Sequence, residues 1–136
     1  SSWLGNVGDN SKIKGIIYEA PVINFWESVE VNGAARYPWV PKQLFAYFKI
    51  FTEIRYGIDF QNMDFTDNVI NSDIPALLFH GDDDEWVPVE MSDFIAENRD
   101  TNFTYIRYEN VGHVTSWNAD PERYLFEIGK FIESLN

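Results

Sequence analysis

The run IPALLFHGDDDEWVP, residues 74–88, carries the reading of the fold. Its apolar part, Ala76 to His80, is too short for a helix and almost unbroken. That pattern suits a strand covered on both faces, as in a parallel sheet flanked by helices. Gly81 then turns the chain, Asp82, Asp83, Asp84 and Glu85 follow at once, and Pro88 stands where a helix can begin. The carboxylates therefore sit at the C-terminal end of a strand, the edge at which open α/β sheets bind ligands. A run of acids taken alone is most often solvated surface. Calcium is a poorer reading, because the cluster lacks the alternating ligands and distal glutamate of an EF-hand loop.

Two further segments, Ile13 to Tyr18 and Phe103 to Tyr108, have the β-branched and aromatic content of strands. The first contains the apolar run GIIY and reads as buried on both faces; the second alternates more and belongs nearer a sheet edge. Helical periodicity is clearest from Pro121 to Leu135, where Tyr124, Leu125, Ile128, Phe131, Ile132 and Leu135 repeat at helical spacing behind an Asp120 cap. A second helix is expected from Pro41 to about Arg55, with Leu44, Tyr47, Phe48, Phe51 and Ile54 on one face, and a third after Pro88. Strand, helices, strand, helix, strand, helix is the order of an α/β protein with three parallel strands.

The N-terminal residues Ser1 to Leu4, followed by Gly5 and Asn6, look like the end of a helix. A strand at Ile13 to Tyr18 that is buried on both faces also needs a neighbour on each side to satisfy its backbone. The expectation is a fragment, residues 1–136, of a single domain whose remaining sheet lies elsewhere. Residues 20–73 are long for a crossover and read as an insertion able to form a lid or cap.

Composition narrows the function. Twenty-two acidic and ten basic residues give a formal charge of −12, which repels phosphate backbones and anionic head groups, so neither nucleic acid nor membrane is expected as a partner. With no cysteine there is no thiol nucleophile, disulfide or thiolate metal site. No run approaches a membrane span. The lack of cysteine leaves the redox compartment open, and a cytoplasmic location is the expectation.

The second chemical segment is FTYIRYE followed by NVGHVTSWNADPERY, residues 103–124, which puts His113 on a loop between a strand and the capped last helix. His113 follows Asp84 by 29 residues, the length of one helix and one strand. In a parallel sheet the two loops then emerge side by side on one edge. A lone histidine is more often structural, and His80, at its strand end, reads that way.

HGDDDEWVP resembles the H-G-x-x-D-x-x-V-P element of α/β-hydrolases, and GHVTSWN resembles their histidine loop. The likeness runs from about Lys12 to Leu135 and is similar to a bacterial branch of esterase-like and serine peptidase-like enzymes of the acylaminoacyl-peptidase type. It implies that Asp84 is the acid and His113 the base of a catalytic triad, with Asp82 and Asp83 as neighbouring alternatives facing solvent. The family's nucleophile elbow, G-x-S-x-G, is missing: Ser1, Ser2, Ser11, Ser28, Ser72, Ser92, Ser116 and Ser134 all lack the flanking glycines. The nucleophile is therefore expected upstream of Ser1, with the chain alone inactive.

The resemblance implies a serine hydrolase that cleaves an ester or an amide or peptide bond of a small-molecule or peptide substrate through an acyl-enzyme. No cofactor or metal is needed, and the partner expected is the remaining N-terminal part of the same protein. An aspartate-nucleophile enzyme of the haloalkane or epoxide type and a non-catalytic scaffold with the same fold are the alternatives. A dinucleotide-binding module is disfavoured, since no glycine-rich phosphate loop follows a strand. Eleven aromatic residues between positions 20 and 73, among them Trp26, Tyr37, Trp39 and Phe60, could line an apolar pocket or simply pack helices on the sheet.

Overall fold

The computed structural model describes residues 12–136. The helix end expected at Ser1 to Leu4 lies outside those residues. Three strands, β1 (Ile16–Glu19), β2 (Ala76–Gly81) and β3 (Phe103–Tyr108), form a parallel sheet in the order β1-β2-β3. Between them run α1 (Phe25–Arg36), α2 (Lys42–Tyr56), a single 3-10 turn (Gln61–Met63), α3 (Thr66–Ile70) and α4 (Val89–Asn98). After β3 come α5 (Ser116–Ala119) and α6 (Pro121–Ser134).

β2 is the centre of the sheet, and all six of its residues are buried. Its alternation sends Leu77 and Phe79 to one face, where they cluster with Tyr108, Val111 and Phe131, joined by Ile106, by Tyr124 and Ile128 of α6, and by Leu135 just past the end of that helix. Phe79 stacks on Tyr124 with ring centroids 4.3 Å apart. On the opposite face His80 bonds to Ser92 of α4. A second cluster, Ile23, Val69 and Ile95 with Ile70 and Phe103, ties α4 to the segment before β2. Helices on both faces explain why the ALLF run has no polar alternation, and each such side chain contributes roughly 1.5–3 kcal/mol by leaving water.

α6 has the cap expected of it: the Asp120 carboxylate accepts the Arg123 N–H at 3.0 Å, with Pro121 in the first turn. Tyr124, Ile128, Phe131 and Leu135 of its apolar stripe reach the core, whereas Leu125 and Ile132 are exposed at the margin. α4 ends at Arg99, a buried cation. Its guanidinium donates to the carbonyls of Val69 (3.0 Å) and Ile74 (2.5 Å), stitching α3 and the approach to β2 onto α4.

Two elements depart from the sequence expectation. β1 starts at Ile16, where the Ile16 N–H meets the Pro75 carbonyl at 2.9 Å, and not at Ile13. Among the described residues β1 pairs with β2 alone, and Ile17 is 41% exposed. α2 forms as expected, closed by Gly57 in the left-handed conformation. Its apolar face, however, points outward: Leu44, Tyr47, Phe48, Phe51 and Ile54 are all exposed, Ile54 at 81%, while Thr52 is the buried residue of the helix. Periodicity finds the apolar face of a helix but does not say toward what it turns.

Candidate active site

β2 and β3 end side by side, and the loops that leave them are joined by their backbones. Asp82 N–H donates to the Tyr108 carbonyl at 2.9 Å and Asp83 N–H to the Val111 carbonyl at 3.1 Å. The Asp82 carboxylate accepts the Asn110 N–H at 2.7 Å. Gly81 makes this approach possible, because a Cβ there would run into the Val111 carbonyl. Asn110 and Val114 bend the second loop through positive φ values of 56° and 52°.

These constraints bring Asp84 and His113 together. Asp84 Oδ2 lies 2.8 Å from His113 Nδ1. Asp84 Oδ1 accepts the N–H groups of Trp86 (2.8 Å) and Val87 (2.9 Å), a local turn that fixes the carboxylate plane. The Asp84 side chain is wholly buried, whereas that of His113 is 35% exposed. Since Nδ1 faces a carboxylate, it carries the proton in the neutral ring, and Nε2 presents its lone pair. Burial by itself would raise the Asp84 pKa. The Val87 amide, the His113 hydrogen bond and the Trp86 amide outweigh it and hold the carboxyl below its ordinary value.

The neighbouring acids differ from Asp84. Asp83 and Glu85 are exposed. Asp82 does not simply face water: besides the Asn110 amide it has the Arg107 guanidinium at 3.9 Å, and so it braces the two loops. None of the three bonds His113.

His80 is more than a filler of the strand end. It is fully buried, with Nδ1 2.6 Å from Ser92 Oγ, and Nε2 3.1 Å from the Val87 carbonyl and 3.2 Å from Asp84 Oδ2. Burial lowers its pKa, against the opposing pull of the Val87 carbonyl and Asp84. Sequence reasoning missed this link. Its signal was present in the i, i+4 spacing from His80 to Asp84.

Glu19, at the end of β1, was also missed. Its carboxylate accepts the Ser116 N–H at 3.1 Å and the Tyr124 hydroxyl at 2.8 Å, anchoring the histidine loop and α6 to the first strand. Burial, and then the bond to Glu19, push the Tyr124 pKa up to about 12.

The serines of the described residues are engaged elsewhere. Ser28 contacts Met91 Sδ at 3.5 Å, Ser92 bonds His80, Ser134 bonds the Phe131 carbonyl, and Ser72 accepts the Ile74 N–H. Ser116 is buried at the start of α5. Among the described residues no serine hydroxyl bonds His113, and no group of acids and histidines has the arrangement of a metal site. No helix among them is long and apolar enough to cross a membrane.

A cavity of about 710 Å³ opens beside the acid loop, between α1 and the start of α4, lined by Asn32, Arg36, Tyr37, Asp84 and Trp86 among others. Asn32 Nδ2 donates to the Trp86 carbonyl at 2.5 Å, and the Arg36 guanidinium stands 6.0 Å from the Trp86 ring. The aromatic residues between positions 20 and 73 do not gather in one place. Tyr37 lines this cavity, Phe25 and Phe65 line another, Phe60 is buried, and Trp39 is 74% exposed.

The esterase Pf2001 of Pyrococcus furiosus superposes with a TM-score of 0.62 at 18% identity, over 97% of this chain and 48% of that one. A second crystal form of the same esterase gives 0.64. MGS-MChE2, an α/β hydrolase enzyme from the metagenome of lagoon sediments of Mar Chica, Morocco, matches with a TM-score of 0.50 at 11% identity, over 89% of this chain and 50% of that one. The fold is that of the C-terminal half of an α/β-hydrolase. The chain spans about half the length of these solved structures. No protein-family model matches the sequence, and no curated protein matches it. At these identities the likeness shows the fold.

Proposed function

We propose that the chain supplies the acid, Asp84, and the general base, His113, of a serine hydrolase that cleaves an ester or an amide or peptide bond through an acyl-enzyme. The observation that carries this reading is the 2.8 Å contact between a fully buried, hydrogen-bonded carboxylate and a part-exposed imidazole at the ligand-binding edge of the sheet. A serine hydroxyl is a weak nucleophile until an imidazole accepts its proton. His113 Nε2 takes that proton on attack and returns it to the leaving group. Asp84 holds the ring with Nε2 facing the substrate and stabilises the imidazolium formed in between.

In this reading the nucleophile and oxyanion hole belong to the part of the protein that precedes this chain, and the 136 residues alone do not turn over substrate. Residues 20–73 act as a cap whose α1 leans on the acid loop through Asn32 and Arg36, with the adjoining cavity as the acyl or leaving-group pocket.

Fluorophosphonate labelling of the intact protein is the test. A labelled serine, with labelling lost in His113→Ala, is the expected result. Absence of labelling from the folded intact protein would exclude a serine nucleophile and leave the scaffold and aspartate-nucleophile readings, and hydrolysis of a nitrophenyl ester by the 136-residue chain alone would overturn the split of the triad.

A further inference from the structure

His80 Nε2 stands between two acceptors, the Val87 carbonyl at 3.1 Å and Asp84 Oδ2 at 3.2 Å. Neither can donate, so Nε2 carries a proton. In the neutral ring Nδ1 is then an acceptor, and the Ser92 hydroxyl, 2.6 Å away, donates to it. Ser92 and His80 are both fully inaccessible to water, so solvent cannot replace either bond. The Asp84 carboxylate accordingly accepts the Trp86 and Val87 amides on Oδ1 and the His113 N–H on Oδ2, while His80 Nε2, hydrogen-bonded to the Val87 carbonyl, also stands 3.2 Å from that same Oδ2.

We propose that His80 is a positioning residue for the Asp84–His113 pair, with its ring held from behind by Ser92, so that α4 and the strand end jointly fix the carboxylate that orients His113. The two amides restrain Oδ1 alone and leave the carboxylate free to swing Oδ2 away from the imidazole. The His80 N–H, 3.2 Å from Oδ2, opposes that movement. It also shares the negative charge of Oδ2, which tunes how strongly the carboxylate holds the His113 N–H. The inference rests on the hydrolase reading only for its effect on turnover; the hydrogen-bond relay itself does not depend on it.

The experiment uses the intact protein and three variants. His80→Leu removes the donor, His80→Gln restores an N–H near the position of Nε2, and Ser92→Ala removes the hydroxyl that holds the ring at Nδ1. Two properties are read: kcat and KM on an ester substrate, and the proton resonance of the His113 Nδ1–H, identified as the signal lost in His113→Ala. The expected result is a kcat reduced about 10- to 100-fold in His80→Leu with KM within about twofold, most of it recovered in His80→Gln. The Nδ1–H resonance should shift in His80→Leu and Ser92→Ala and return toward its position in His80→Gln.

If His80 only fills space, Leu and Gln will lower Tm, leave the resonance in place and leave kcat per folded molecule unchanged, which overturns the proposal. Should His80→Leu fail to fold, Ser92→Ala, which keeps the imidazole, gives the same decision through the resonance. A protein in which no variant and no wild type turns over substrate contradicts the hydrolase reading instead, and the resonance still decides the role of His80.

Discussion

Asp84 and His113 differ from their neighbours in ways that mutation can read separately. Asp84→Asn keeps the shape but replaces an acceptor-only carboxylate, so the amide can present a donor to Nδ1 and favour the wrong tautomer. In the intact protein kcat should fall about 10⁴-fold, and His113→Ala should cost at least as much. Asp82→Asn and Asp83→Asn should stay within a few-fold of wild type, because an amide oxygen at Asp82 still accepts the Asn110 N–H and Asp83 is exposed. Equal losses at all three positions, measured as kcat/KM, would remove Asp84 from its assigned role. Gly81→Ala belongs at this scale too. The new methyl meets the Val111 carbonyl, so the histidine loop must move, and activity should drop sharply while thermal unfolding remains cooperative.

At the scale of elements, local chemistry and packing carry different amounts of information. α6 was legible because its cap, its proline and its apolar stripe agree: Asp120 bonds the Arg123 N–H, and Tyr124, Ile128, Phe131 and Leu135 meet the cluster around Phe79. Asp120→Ala should lower stability by about 1 kcal/mol in chemical denaturation with the slope unchanged. An unchanged midpoint would show that Pro121 alone sets the start of the helix. β2 was legible for a similar reason, since an apolar run with no polar face requires cover on both sides. α2 shows the limit of this reasoning. Its stripe of Leu44, Tyr47, Phe48, Phe51 and Ile54 is correctly placed on one face, yet that face is exposed and the helix is seated on the other through Thr52.

For the molecule as a whole, the two buried titrating groups near the site make stability depend on pH. His80 is held neutral, with a pKa below the 6.5 of a free imidazole; the unfolded chain therefore takes up a proton first as pH falls below about 6.5, and stability declines from there toward the depressed folded value. Asp84 has a pKa lowered from 3.8, so its contribution is complete above the carboxylate range and is lost only as pH falls through the lowered value. Melting temperature should thus begin to fall near pH 6.5, before the bulk of the carboxylates titrate, and a further loss should follow in strong acid. His80→Gln should flatten the first phase, and Asp84→Asn the second. A melting temperature that is flat from pH 7 to pH 5 would contradict the buried neutral state of His80.

The amino-acid sequence by itself determined the parallel α/β order, the three strands, the capped last helix, and the placement of Asp84 and His113 on adjacent loops. These follow from signals that are local or that add along the chain: apolar runs, caps, turns, and a 29-residue spacing that a parallel sheet converts into proximity. The resemblance had already singled out Asp84 over Asp82 and Asp83, and tertiary structure brings it to 2.8 Å from His113. Tertiary structure alone decided that His80 and Ser92 stand behind that carboxylate, that Glu19 ties the histidine loop to β1, and that the apolar face of α2 turns outward. The physical reason is common to these cases. A hydrogen bond depends on ångström distances and on which face of an element is turned toward its neighbour, and both are set by packing between segments distant in sequence.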